Sequence, residues 1–236
     1  MHAIPLRHDD VFYPESDGLP MGETELHRDE IIYLIEAFQE RFRGEPDVYV
    51  GGNLFLYYRQ GDPRDAICPD VMVVQGVPKL PMRRTFKLWE EGEAPCLVVE
   101  VRSDSTEGND FHSKKALYES LGIDEYLLYD PLALRHPQLQ GFRLAGDGRY
   151  QPVAPEPDGS LVSRTTGVIL RLEGPRIRMV DTATGQPFLR TEEKSAALTW
   201  QRRELEEAKR LADRETEERR ALEDEIARLR RELEQR

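Results

Sequence analysis

The residues with most chemistry to explain lie in APCLVVEVRSDS, residues 94–105. Leu97, Val98, Val99 and Val101 read as a buried β-strand, and Glu100 interrupts their apolar run. An ionised carboxylate in an apolar interior is costly unless it is paired, protonated or bound to a metal. The bland answer is that Glu100 faces solvent at a strand end or pairs with a nearby Lys or Arg. A second acidic residue opens another. Asp70 follows a proline in ICPDVMVV, at the mouth of a second apolar strand. Two carboxylates on neighbouring strands suggest a shared site for Mg²⁺ (or Mn²⁺), which takes one or two carboxylates plus waters and substrate phosphates. Such a metal generates a hydroxide nucleophile and stabilises a leaving oxygen.

A cation is available in the segment that follows, DFHSKKALYESLG, which reads as a helix ending at Gly122. At about 100° per residue, with Phe111 at zero, Tyr118 falls near −20°, Lys114 near −60°, Leu121 near −80° and Leu117 near −120°. Lys114 therefore lies inside the apolar arc, and Lys115 lies at its edge. Lys114 either snorkels outward along its own stem or reaches back to Glu100. Beside Glu100 and Asp70, the second reading makes a site: Asp70 and Glu100 hold the metal. Lys114 then orients or deprotonates the attacking water, or stabilises the transition state.

Other motifs carry less. Gly51-Gly52-Asn53 is not a phosphate loop, because no Gly-Lys-Ser/Thr follows and no Gly-x-Gly-x-x-Gly occurs. Ser103 and Ser105 have no positioned His partner for nucleophilic hydrolysis. His27, near the start of the first helix, reads equally as a surface or capping residue and as part of a site. Trp89 and Tyr126 can stack on bases, but core packing explains both. Cys68 and Cys96 lie in apolar runs without zinc-ligand spacing, so buried reduced thiols are expected.

The elements that must position these residues follow from periodicity. In residues 24–43, Ile31, Leu34, Ile35, Phe38 and Phe42 recur at helical spacing. VYVGGNLFLYY and ICPDVMVV read as strands, KLPMRRTFKLWEEGEAP as a connection, CLVVEV and EYLLYDP as strands. GFRLAGDGRYQPV reads as a hairpin around Gly146-Asp147-Gly148, and GVILRLEGPRIRMVD continues the β pattern. The body, 1–190, is then followed by a tail, 191–236, with no Gly, no Pro and dense charge. Its a and d positions run in one register through Leu198, Gln201, Leu205, Ala208, Ala212, Glu215, Arg219, Leu222, Ile226, Leu229 and Leu233. That is a coiled-coil pattern with a polar middle; the alternative is a single solvated helix.

Net charge is −12 over 236 residues. The tail holds 14 acidic and 12 basic side chains, leaving 31 acidic against 21 basic in the body. The body thus lacks the overall basic footprint of a tight non-specific nucleic-acid binder. No apolar run reaches the length of a membrane span and no secretory signal opens the chain. A cytoplasmic protein is expected.

PDVMVV, KLWEEGEAPCLVVEVRSDST, the spacing D-x-x-x-K-x-x-x-Y and GIDEYLLYDP together resemble the Uma-two (Uma2) family of "putative restriction endonucleases", which is similar in fold to the PD-(D/E)XK nucleases. The resemblance spans roughly residues 20–190. It implies an α/β (α+β) fold, a restriction-endonuclease-like mixed β-sheet flanked by helices, with Asp70 and Glu100 as metal ligands. It also implies that the lysine has moved from the strand to the following helix, at Lys114, with Asp110 and Tyr118 at other recurring positions. Two departures stand out. Arg102 replaces an apolar residue, and Asp104 replaces a proline. Arg102 shares a strand face with Glu100, but its guanidinium stays protonated and cannot serve as a base.

The expected function is a Mg²⁺-dependent endonuclease acting on nucleic acid, DNA foremost, as a homodimer joined through the tail. The rival reading is a catalytically silent nuclease-fold module that assembles with partners through the coiled coil. The acidic body and the departures at 102 and 104 favour that rival; the intact Asp-Glu-Lys set favours the enzyme.

Overall fold

Thr24 starts the first helix: its hydroxyl accepts a hydrogen bond from His27 N at 3.3 Å, satisfying a donor the first turn leaves open. The helix, α1, runs Glu25–Arg41 and buries Ile31, Leu34 and Phe38. The computed structural model describes residues 11–16, 24–102, 109–132 and 137–234; the side chains of 109–111 and 232–234 lie outside that description.

After α1 come β1 (Val48–Gly51), β2 (Leu56–Tyr57), β3 (Ala66–Ile67), β4 (Val71–Gln75), β5 (Phe86–Lys87) and the short helix α2 (Leu88–Glu91). Next are β6 (Leu97–Val101), α3 (Asn109–Ser120), β7 (Glu125–Tyr129), β8 (Leu139–Leu144) and β9 (Tyr150–Pro152). β10 (Leu161–Ser163), β11 (Val168–Glu173), β12 (Arg176–Asp181) and α4 (Thr191–Glu234) follow.

Among the described residues, a mixed six-stranded sheet has the order β1-β4-β6-β7-β8-β9. Only β6 and β7 pair in parallel within it, and α3 is the crossover that a parallel pair requires. Two three-stranded sheets, β10-β11-β12 and β3-β2-β5, accompany it. The period-two alternation of the central strands sends side chains to two cores. Val71, Val73, Leu97, Val99 and Val101 pack with α1 and with Leu170, Ile177 and Met179. Met72, Val74 and Val98 pack on the other face with Tyr118, Ile123, Tyr126 and Phe142.

Two segments differ from the sequence reading. The connection KLPMRRTFKLWEEGEAP contains β5 and α2, because buried Phe86 pairs in parallel with Leu56 of β2. ICPDVMVV is not one strand: Cys68, Pro69 and Asp70 separate β3 from β4. The chain divides into two compact units, Met1–Phe188 and Leu189–Arg236. In the second, α4 is a 44-residue helix. Among the described residues no helix is long and apolar enough to cross a membrane.

Candidate active site

Strand β6 explains where Glu100 goes. Leu97, Val99 and Val101 face the α1 core, so alternation turns Val98 and Glu100 toward α3. Glu100 does not reach solvent; it is 5% exposed. The antiparallel register pairs Val71 with Val99, and one residue further it sets Asp70 opposite Glu100. Asp70 Oδ2 accepts a hydrogen bond from Val101 N at 2.8 Å, which fixes the carboxylate at the strand end.

Gly52 makes this placement possible. A Cβ there would meet the Asp70 carbonyl oxygen at 2.1 Å and Ile35 Cδ1 at 2.8 Å, so only a residue without a side chain lets the β1–β2 loop pass so close. Asn53 N, next in the loop, donates to Pro69 O at 2.9 Å. The Gly-Gly-Asn stretch thus has a role beside Asp70 that no phosphate-loop pattern announces.

From α3, Lys114 and Tyr118 stand one turn apart on one face. Lys114 Nζ donates to Glu100 Oε2 at 2.9 Å, and Tyr118 Oη donates to Glu100 Oε1 at 2.6 Å. Burial, with the negative charge of Asp70 next in weight, pushes the Glu100 carboxyl up to about 8, although Lys114 and the Tyr118 hydroxyl pull it down. Burial and then the Glu100 charge hold the Tyr118 phenol well above its ordinary value. Tyr118 is therefore a neutral donor at any pH of interest.

His27, left open by the sequence, is buried beside this cluster. Its Nε2–H donates to Val101 O at 2.7 Å, and Nε2 lies 3.9 Å from Asp70 Oδ2. The surface alternative is excluded, and the capping role belongs to its backbone N–H. Arg102 N donates to Tyr129 O at 2.7 Å, tying the end of β6 to β7. Ser103, Asp104 and Ser105 lie outside the described residues, as does the side chain of Asp110. Tyr126 is fully buried among Tyr118, Phe142 and Tyr150, and Trp89 packs against Tyr13.

The donor set discriminates among metals. Among the described residues no three His, Cys, Asp or Glu side chains converge as a cage. Two carboxylates set opposite one another on neighbouring strands suit an ion that needs few protein ligands and keeps its waters. Each Glu100 oxygen has a second lone pair beyond the one its donor occupies. Mg²⁺ or Mn²⁺ fits this pair; a four-ligand zinc site does not.

A profile of the Uma2 family, described as "Putative restriction endonuclease", matches residues 8–173. No curated protein matches the chain. Among solved structures, the chain is similar to one described as a "putative nuclease belonging to DUF820 from Anabaena variabilis". The two share 13% identity and a TM-score of 0.47, over 69% of this chain and 91% of that one.

Proposed function

The chain belongs to the Uma2 family of "putative restriction endonucleases", and we propose that it is a divalent-metal-dependent endonuclease hydrolysing phosphodiester bonds of nucleic acid, with DNA as substrate. The observation that carries this reading is a buried glutamate kept opposite an aspartate, with a single lysine supplied to it from the next helix. A fold seeking stability alone would place an apolar residue at position 100.

In this reading Asp70 and Glu100 hold Mg²⁺ or Mn²⁺, which when bound supplies a water-derived nucleophile and charge stabilisation at the leaving oxygen. Val101 N fixes Asp70, and Tyr118 fixes Glu100 through a short hydrogen bond. Lys114 Nζ, held on the opposite oxygen of Glu100, donates to the attacking water or to a phosphate oxygen as negative charge builds there. His27 braces the Val101 carbonyl and thereby the strand end on which both carboxylates depend.

One observation favours a second reading. Glu100 already has a hydrogen-bond partner on each oxygen, and in that reading the cluster is a structural hydrogen-bond network in a silent module. A cleavage screen separates the two: supercoiled plasmid, single-stranded DNA and RNA, each with Mg²⁺, Mn²⁺ or EDTA. Metal-dependent cleavage of DNA by the wild type and none by Glu100→Ala supports the enzyme. Intact substrates in every lane support the module, and cleavage of RNA alone moves the substrate.

A further inference from the structure

The helix α4 carries an apolar seam that its own unit leaves uncovered. Leu198, Leu205, Leu222, Ile226 and Leu229 are each 46–72% exposed, although they fall on one line at alternating three- and four-residue spacing. Ala208 and Ala212 continue the line and are exposed too. Left in water, such a stripe is what a coiled coil buries. We propose that α4 pairs with α4 of a second copy of this chain in antiparallel orientation, centred near residue 217, with Glu215 of each copy facing Arg219 of the other.

The orientation follows from charge and size along the seam. In the register of the sequence, Leu198, Leu205, Ala212, Arg219 and Ile226 occupy a positions; Gln201, Ala208, Glu215, Leu222 and Leu229 occupy d. A parallel pair stacks each layer on itself. It sets Glu215 on Glu215 and Arg219 on Arg219 in adjacent layers, and alanine on alanine at 208 and 212. Like charges brought together in a partly desolvated seam oppose association, and two small layers leave the helices poorly packed.

An antiparallel pair matches a with d instead. Leu205 then faces Leu229, Ala208 faces Ile226 and Ala212 faces Leu222, so each small residue meets a large one. Glu215 faces Arg219 twice, once on each side of the centre, giving the polar middle of the tail a partner in the second copy. The flanks weigh the other way: a parallel pair would gain Glu204 against Lys209 and Glu225 against Arg230, and it suits Ile226 at a between leucines at d. Those charge pairs sit at the solvent-exposed rim, where they contribute little and are screened by salt. The seam decides.

This pairing does not depend on the nuclease reading, and it is tested on the full chain. Sedimentation equilibrium at micromolar concentration is expected to give twice the 27.3 kDa of one chain. The double variant Leu222→Asp/Ile226→Asp, altered only at exposed positions, is expected to halve that mass. Orientation is read from a spin label at Arg203→Cys, with Cys68 replaced by Ser and an unlabelled-site control for buried Cys96. Antiparallel helices put the two labels about 28 residues apart, more than about 40 Å at 1.5 Å per residue. Side-by-side parallel helices put them within about 30 Å. A monomeric wild type, or a dimer that survives the double aspartate variant, overturns the seam as the interface. A dimer with the short distance overturns the orientation.

Discussion

Glu100→Gln keeps the shape of the side chain and removes its charge, and the structure sets what that does to the metal-free protein. The carboxyl is held at about 8 against an ordinary 4.5, first by burial and next by the charge of Asp70. An acid whose folded pKa is raised keeps its proton in the native state after the unfolded chain has released it. Stability is therefore highest below the unfolded value and falls as pH rises through the folded one. Relative to Glu100→Gln, the wild type is expected to lose roughly 3 kcal/mol between pH 5 and pH 7.5, approaching about 1.4 kcal/mol per pH unit in mid-window. Urea unfolding in EDTA at several pH values between 4.5 and 8.5 reads this directly, because the midpoint moves with stability at constant slope. Asp70→Asn should flatten the wild-type dependence, since it removes one of the charges that raises Glu100. Parallel stability–pH curves for wild type and Glu100→Gln would refute the reasoning: Glu100 would then be an ordinary ionised partner of Lys114.

Four further substitutions probe the surroundings. Gly52→Ala forces a Cβ against the Asp70 carbonyl; it should cost about 1–3 kcal/mol by overpacking and weaken Mn²⁺ affinity, seen in thermal melts and calorimetry, and unchanged affinity would release Gly52 from its role. Lys114→Ala should lower turnover by about 10²–10⁴-fold while Arg102→Leu is tolerated, measured as plasmid nicking under single-turnover conditions; the reverse pattern would move the chemistry to the strand. Glu125→Ala should destabilise by about 3–5 kcal/mol, because it strands the donors Ser163 Oγ, Thr165 Oγ1 and Arg143 Nη2, now at 2.6, 2.7 and 2.8 Å. Burial alone would raise the Glu125 carboxyl, yet those hydrogen bonds outweigh it and leave it below its ordinary value. Its contribution is present above the unfolded value and lost as pH falls through the folded one, so the gap between wild type and variant should narrow in acid denaturation.

What the sequence made legible was local. The apolar run of β6, the proline before Asp70 and the helical arc holding Lys114 are each written in a dozen residues or fewer, and periodicity reads them. What it hid depends on contacts across the chain. Nothing near His27 in sequence marks its role, because Val101, which its ring engages, lies 74 residues away. Gly52 belongs to no phosphate loop, and its use, the close passage of Asp70, shows only in the fold. Glu30 is buried and accepts from Ile177 N at 2.8 Å, and Glu125 receives donors from the segment around β10. Neither carboxylate has a neighbour in sequence that marks it as interior. Strand β5 has no signature in the sequence because Phe86 and Lys87 are too few to show a period; pairing with β2 makes them a strand.

The proposal that Asp70 and Glu100 hold a divalent metal is tested by calorimetric titration of Mn²⁺ into the full chain at pH 8. The wild type is expected to bind at millimolar or tighter affinity, with a proton released to the buffer as the metal displaces it from Glu100. No binding heat is expected for Glu100→Gln or Asp70→Asn, with both variants folded. A wild type that takes up no Mn²⁺ at millimolar concentration, or variants that bind as the wild type does, would contradict it.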